Sequence, residues 1–384
     1  MANKYLKSAK NAKNDEFYTQ FGDIQKEIEA YLEYNPDVFC GQVVYCNCDD
    51  PFESNFFRYF VLNFNKLGLK QLITTSYKPS PIANTQLVLF GDDKSLAKSK
   101  GRPKLTANRF IINKVHDIDG DGEFNLKDVA KQLKANEQNE WTPLEGDGDF
   151  RSDECINLLK QSDIVVTNPP FSLFREYVKQ LFDYKKTFVI IGSMNAITYK
   201  EIFPLIKNNK LWLGNGFHAG NAYFSTPNTR DFASGVFDAK TGLVKFRNVC
   251  WFTNLDHGRR HQPLPLMTMR ENLKYSKHKQ IKGKQGYDKY DNYDAIEVPF
   301  TDSIPSDYDG AMGVPISFLD KYSPEQFEIM GITDRDNNSG LKTREYTEND
   351  VPNPGDLNRR GVIKIGSEYK STYARLLIRR KPNK

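Results

Sequence analysis

Asn168, Pro169, Pro170 and Phe171 put an amide, two prolines and an aromatic ring in four consecutive positions. Two prolines fix φ and remove two backbone donors, so the carbonyls of such a turn can face a ligand without leaving orphan N–H groups. An amide oxygen, a carbonyl and a flat ring together suit a planar substrate that presents an amino group. An amine attached to a heterocycle is a poor nucleophile, because its lone pair delocalises into the ring. Hydrogen bonds to the Asn168 side-chain oxygen and the Pro169 carbonyl would pull that nitrogen toward tetrahedral geometry and free the lone pair. Phe171 would stack on the ring and hold it for in-line attack. No ionised base is needed at the outset, since the proton can leave after attack. The competing reading is a structural cis-proline turn.

The flanking residues supply what would position this turn. Ile164-Val165-Val166 fits a buried strand, and Ser172 onward fits a helix start. Near the amino end, a basic arm precedes Asn14. A helix follows with Ile24, Ile28, Tyr31 and Leu32 on one face, Asp23 as its N-cap and Asn35-Pro36 as its stop. Residues 42–46 read as a strand, Asn47 to Phe52 as the turn leaving it, Ser54 to Leu67 as a helix ended by Gly68, and 70–75 as the next strand. Strand–helix–strand is the unit of a parallel sheet, and such sheets bind ligands beyond the carboxyl ends of their strands. Asp49 and Asp50 stand at that position. A strand at 109–115, helices at 152–161, 172–183 and 200–206, and strands at 187–192 and 211–213 continue an α/β pattern.

The 384 residues suffice for one large or two moderate domains, and 27% charged with 39% hydrophobic residues is an ordinary globular mixture. No apolar run reaches membrane-spanning length, and the first residues lack the apolar core of a signal peptide. Five irregularly spaced cysteines point to a reducing cytoplasm, with Cys46 and Cys48 as buried thiols. A net charge of +5 is a mild hint of a polyanionic partner.

Two further stretches carry chemistry. Asp117, Asp119, Asp121, Glu123 and Asp128, with Gly122 at the sharp turn, have the spacing of a calcium loop. A strand-like segment precedes it where a helix is usual, and Asp replaces the usual last Glu, so a plain Asp/Gly turn stands beside the calcium reading. Past Gly214 the texture changes to Gly, Pro, Tyr and basic residues. Arg259, Arg260, Lys277, Lys279, Lys282 and Lys284, interleaved with tyrosines, are what a nucleic-acid groove uses; the bland alternative is a solvated lysine-rich loop.

The chain resembles the EcoRI-type adenine-specific DNA methyltransferases, which use S-adenosylmethionine. The resemblance rests on Asn168-Pro169-Pro170-Phe171, on Gly148 to Ser152 and Ser172 to Tyr177 around it, on Ile191 to Ile197, and on Pro315 to Asp320. It covers most of the chain. It implies a Rossmann-like S-adenosylmethionine-dependent methyltransferase fold over residues 1–214, with the calcium-like stretch 116–129 as an insertion. A target-recognition region over 215–384 would follow. The implied reaction is methyl transfer to the N6 amino group of an adenine flipped out of double-stranded DNA, in the cytoplasm, as one half of a restriction-modification pair or as an orphan methylase. The protein could work as a monomer. Phe17, Tyr18 and Thr19 look like the motif beside the methionine end of the cofactor, Asp49, Asp50, Pro51 and Phe52 like the first-strand motif, and Asp149 and Phe150 like the site beside the adenine ring, with Asn168 adjoining the cofactor as well. The usual ribose-binding acid after the second strand is missing, with Thr74-Thr75-Ser76 in its place, and so are the usual glycines of the first motif. Methyltransferases of RNA adenine or of protein glutamine share the catalytic turn, and a catalytically dead nucleic-acid-binding relative is the alternative outside enzymes.

Overall fold

The computed structural model describes residues 18–48, 54–77, 107–118, 120, 124–135, 138–217, 221–225, 235–334 and 337–382. Chain contacts divide it into two compact units, Met1–Ser193 with Gly214–His257, and Met194–Leu213 with Gly258–Lys384. The chain therefore passes between units three times, at 193/194, 213/214 and 257/258.

In chain order the first unit begins with β1 (Tyr18–Thr19), α1 (Phe21–Tyr34), β2 (Val43–Cys46), α2 (Asn55–Leu62), β3 (Gln71–Thr75) and β4 (Asn108–Ile112). It continues through α3 (Leu126–Ala135), β5 (Glu140–Pro143), α4 (Asp153–Gln161), β6 (Ile164–Thr167), α5 (Phe174–Asp183) and β7 (Thr187–Ser193). After α6 (Phe203–Lys207) and β8 (Trp212–Leu213), which belong to the second unit, come β9 (Asn221–Ser225), β10 (Phe237–Asp238), β11 (Leu243–Arg247) and β12 (Val249–Thr253).

The main sheet of the first unit runs β5-β4-β3-β2-β6-β7-β12. Its centre, β3-β2-β6-β7, is parallel, and β4, β5 and β12 are antiparallel flanks. β2 and β6 are buried throughout, as central strands covered on both faces must be. β12, Val-Cys-Trp-Phe-Thr, comes from beyond Gly214, although the sequence pattern ends this sheet at residue 213. One face of the sheet packs Val44, Leu72, Phe110, Val166 and Ile191 with Ile24, Ile28 and Tyr31 of α1 and Phe56, Phe57 and Phe60 of α2.

α1 starts at Phe21, with Gln20 at the cap and no side-chain cap bond, so Asp23 lies in the first turn and does not cap it. α2 has the expected cap, Ser54 accepting from the Phe56 N–H, and Gly68 leaves the following turn at φ +63°. A second, antiparallel sheet, β1-β9-β11-β10, holds the amino end of the described chain against β9.

The second unit carries α7 (Met269–Tyr275), opened by a capping box between Thr268 and Glu271, and then β13 (Ala295–Glu297), β14 (Ala311–Pro315) and β15 (Phe327–Ile332). β16 (Val362–Ile365), β17 (Glu368–Ser371) and β18 (Arg375–Arg380) complete it. Its sheet is β13-β14-β18-β15, and β16 with β17 forms a separate two-stranded ribbon. Among the described residues no helix is long and apolar enough to cross a membrane.

Candidate active site

The parallel strands reverse their winding between β2 and β6: the chain leaves β2 toward β3 on one side and returns to β6 on the other. The crevice beyond the carboxyl ends of two such strands is where open α/β sheets bind ligands. β6 ends at Thr167, so Asn168-Pro169-Pro170-Phe171 emerges at this switch point, and Asn47-Cys48 leaves β2 beside it. Two bonds converge on Asn47. The Thr167 hydroxyl donates to the Asn47 carbonyl, and the Tyr177 hydroxyl of α5 donates to the Asn47 side-chain oxygen.

Asn168 is half-buried and Pro169 buried. No described peptide bond is cis, which removes the cis-proline reading. The Pro170 carbonyl accepts from the Leu173 N–H at 2.9 Å and so starts the 3-10 turn Phe171–Leu173. Among the described residues nothing donates to the Pro169 carbonyl. Phe171 is half-buried against the main core. Phe174, three residues on, anchors the turn: its ring lies 5.0 Å from that of Phe252 and fills the space a side chain at Gly192 would need. A Cβ on Gly192 would stand 2.4 Å from the Phe174 ring, so the glycine of β7 is a seat for the helix that follows the turn.

The acidic turn at 147–151 is fixed from two sides. Gly148 has φ +79°, and a Cβ there would come within 2.0 Å of the Ser76 carbonyl, so this turn lies on the carboxyl end of β3. Arg151 grips Asp149 with Nε on Oδ1 at 2.9 Å and Nη2 on Oδ2 at 2.7 Å, while Nη1 reaches Glu176 of α5 at 3.0 Å. These bonds hold the Asp149 carboxyl below its ordinary pKa and raise that of Arg151. Phe150 is buried edge-on to Tyr177 at 5.0 Å. It is thus a core anchor for the turn. The three hydroxyl residues in place of the ribose acid are all buried: Thr75 pairs with the Tyr45 hydroxyl at 3.0 Å, and the Ser76 hydroxyl accepts from the Asn108 N–H at 2.9 Å.

Phe17, Asp49, Asp50, Pro51 and Phe52 lie outside the described residues, as do Asp119, Asp121 and Glu123. Tyr18 and Thr19 form β1, and the Asn55 amide at the start of α2 donates to the Thr19 carbonyl at 2.7 Å. The site fits a cofactor with polar groups: among the described residues the Thr19 and Thr74 hydroxyls are buried without a hydrogen-bond partner. Cys48 is half-buried at φ +61°, a conformation that suits the glycine usual in this motif. Asp128 is fully buried, and its two oxygens accept the Ile118 and Asn125 N–H groups at 3.2 and 2.8 Å. Asp117 caps the Gly120 N–H at 2.7 Å, and no metal-holding cluster occurs among the described residues.

The basic residues of the second unit differ in what they touch. Arg259 pairs with Asp320 at 3.0 Å, and Arg260 is buried with its guanidinium 3.9 Å from the centre of the Trp212 ring. Lys277 pairs with Asp302 and Lys284 with Asp288. Lys279 and Lys282 are exposed and have no ion-pair partner among the described residues.

The sequence model of the family described as "Adenine-specific methyltransferase EcoRI" matches residues 5–381. The chain belongs to this family. The type II methyltransferase M.EcoRI of Escherichia coli is 44% identical over 341 residues, which cover 87% of this chain and 92% of that protein. M.MpnI of Mycoplasma pneumoniae is 36% identical and M.MgeORF184P of Mycoplasma genitalium 34%, each over 85% of both chains, and both are also named type II methyltransferases. No solved structure matches the chain. Membership in an adenine-specific methyltransferase family implies S-adenosylmethionine as methyl donor. The residues that sequence reasoning missed are Asn47, Tyr177 and Arg151, which tie the end of β2 and the 147–151 turn to α5, the helix that follows the Asn168–Phe171 turn. Asn47 and Arg151 had a visible signal, each being polar and adjacent to a motif. Tyr177 reads as an ordinary apolar position of an amphipathic helix.

Proposed function

We propose that this EcoRI-family methyltransferase is a DNA adenine-N6 methyltransferase of the restriction-modification type, acting in the cytoplasm on an adenine flipped out of the duplex. The observation that carries the reading is the Asn168–Phe171 turn at the β2/β6 switch point. The Asn168 side-chain oxygen and the Pro169 carbonyl accept the two N–H bonds of the adenine amine, and Phe171 stacks on the base. Bound S-adenosylmethionine supplies an electrophilic methyl group. Thr19, Asn47, the stretch Asp49 to Phe52 and the 147–150 turn would hold it, with Asp149 kept ionised by Arg151. The amine nitrogen, held by Asn168 and Pro169, would take the methyl as the methyl–sulfur bond breaks and the neutral thioether leaves, and the amine would then give up its proton to solvent.

Residues Gly258–Lys384 supply the duplex contacts of this reading. Lys279 and Lys282 are its phosphate contacts, whereas Arg259 and Arg260 are engaged inside their own unit. For the loop at Asp117–Asp128, the two backbone bonds to Asp128 favour the plain Asp/Gly turn over calcium.

Asn168→Ala tests the turn directly. Removing a preorganised polar contact to the reacting group should lower kcat by roughly 10²–10³-fold, with DNA affinity little changed. Near-normal turnover in this variant would remove the turn from the mechanism. Long-read sequencing of DNA from cells expressing the protein reports the modified base with its sequence context, and unmodified DNA would count against the DNA reading.

A further inference from the structure

The β16–β17 ribbon is the feature of the second unit that its own packing does not use up. Its pairs run Val362↔Ser371, Ile363↔Lys370, Lys364↔Tyr369 and Ile365↔Glu368. Gly366 and Ser367 make the two-residue turn, with Gly366 at φ +61°, the position where this tight hairpin requires glycine. The root is fixed on both faces. Val362 and Tyr369 pack with Tyr346, Val351 and Leu357, and Ile363 packs with Tyr290 and Tyr293. Beyond the root every residue from Lys364 to Glu368 is exposed.

The tip presents apolar and basic side chains to solvent. Ile365 is 61% exposed and Tyr373, just past the ribbon, 86% exposed, and they stand with Tyr275 as the most exposed large hydrophobic residues described. Lys364 and Lys370 have no ion-pair partner among the described residues; Lys364 lies over the Tyr369 ring at 5.2 Å. A narrow two-stranded ribbon fits the major groove of B-form DNA, where aliphatic side chains contact the thymine methyl and lysines reach phosphates on either wall. Ile365, 61% exposed at the tip, is free to contact a base edge without disturbing the packing of the root.

We propose that the Val362–Ser371 ribbon enters the major groove of the substrate duplex, with Lys364 and Lys370 on phosphates and Ile365 against a base edge. Ile365 is then a specificity-determining residue. The inference rests on the DNA reading above and deepens it by naming one reading element.

The test uses the full chain with two duplexes, one containing the methylated site found by sequencing and one scrambled, in fluorescence anisotropy titrations at several salt concentrations. Ile365→Ala should lower the ratio of site to scrambled affinity by on the order of tenfold. Lys364→Ala and Lys370→Ala should weaken both duplexes alike, each reducing the salt slope by about 1. Melting temperatures should stay at the wild-type value, because the substituted side chains are exposed. Wild-type ratios and slopes in all three variants would overturn the ribbon while the wild-type enzyme still methylates DNA. So would a wild-type dimer that Ile365→Glu dissociates without changing DNA specificity, since the tip would then serve self-association. A wild-type protein that methylates neither duplex fails the DNA reading itself, and the ribbon falls with it.

Discussion

Glu27 is a fully buried carboxylate on α1, and its removal makes a sharp test of how the first unit is closed. Its oxygens accept the Tyr31 hydroxyl at 2.7 Å and the backbone N–H groups of Asn215 and Gly216 at 2.9 and 3.0 Å. Those two N–H groups belong to the point where the chain rejoins this unit, just before β9, the strand that pairs with β1. Hydrogen bonds to a charged group contribute about 1.5–3 kcal/mol each. The Asn215 and Gly216 groups are half-exposed and can be rehydrated, so the low end applies to them. Glu27→Ala should therefore cost roughly 2–4 kcal/mol, the loss tempered by no longer burying a carboxylate. Gly214 offers an independent route to the same contact, because a Cβ there would lie 2.0 Å from the Glu27 Oε1 atom. Gly214→Ala should cost a comparable amount, and the double variant less than the sum, since the carboxylate that clashes is gone. The relief stays partial, as Trp251 Cβ and the Tyr31 hydroxyl also stand 2.9 Å from that Cβ. Urea unfolding followed by tryptophan fluorescence measures this. A loss under about 0.5 kcal/mol for Glu27→Ala, or strict additivity in the double variant, would refute the reasoning.

Cys48→Gly should hold or raise stability by about 1 kcal/mol, because φ +61° strains any L side chain, while Cys48→Val should lower it; urea midpoints decide. The Asp149 carboxyl sits below its ordinary value of 3.8 through its bonds from Arg151, so its stabilising effect is present above that pH and is lost as pH falls through the depressed value. Arg151→Ala should consequently shrink the melting-temperature difference from wild type below about pH 4, and a difference constant with pH would contradict the pairing. Glu297→Ala should cost about 3–5 kcal/mol in the second unit, since it leaves Arg375, its side chain only 12% exposed, without the carboxylate that it grips at 2.8 and 3.1 Å; guanidinium melts test it. Melting temperature should be the same with calcium or with a chelator, and a calcium-dependent rise of several degrees would restore the calcium-loop reading.

The sheet centre was legible in the sequence because it obeys local rules. β2 and β6 are short buried apolar runs, Ser54 and Gly68 bracket a helix, and the Asn168–Phe171 turn sits between a strand and a helix as the flanking residues predict. What escaped was long-range. β12 is not among the strands expected from the sequence, and its antiparallel pairing to β7, from Ser193↔Val249 to Val189↔Thr253, is made across the 55 residues 194–248. Glu27 reads as a solvent-facing residue of an amphipathic helix, because its partners are backbone N–H groups almost two hundred positions away. Arg259 and Arg260 look like an anion-binding pair in the sequence, yet an acid and an indole ring of their own unit take them up. Charge in a sequence shows what a side chain can bind, and only the fold shows whether it is still available.

The missing ribose acid follows from packing. An acidic side chain at the end of β3 would replace Thr74, Thr75 or Ser76, all of them buried. Thr75 lies against Tyr45, and Ser76 is bonded to Asn108 through its hydroxyl and covered at its carbonyl by Gly148. A carboxylate there would be buried beside a tyrosine hydroxyl and backbone with no cation among these contacts, at a cost of several kcal/mol. The 147–149 turn laid over Ser76 carries two acidic groups, of which Arg151 balances Asp149 and solvent reaches Asp147. On that turn a carboxylate can be kept ionised without being buried, as Asp149 is by Arg151.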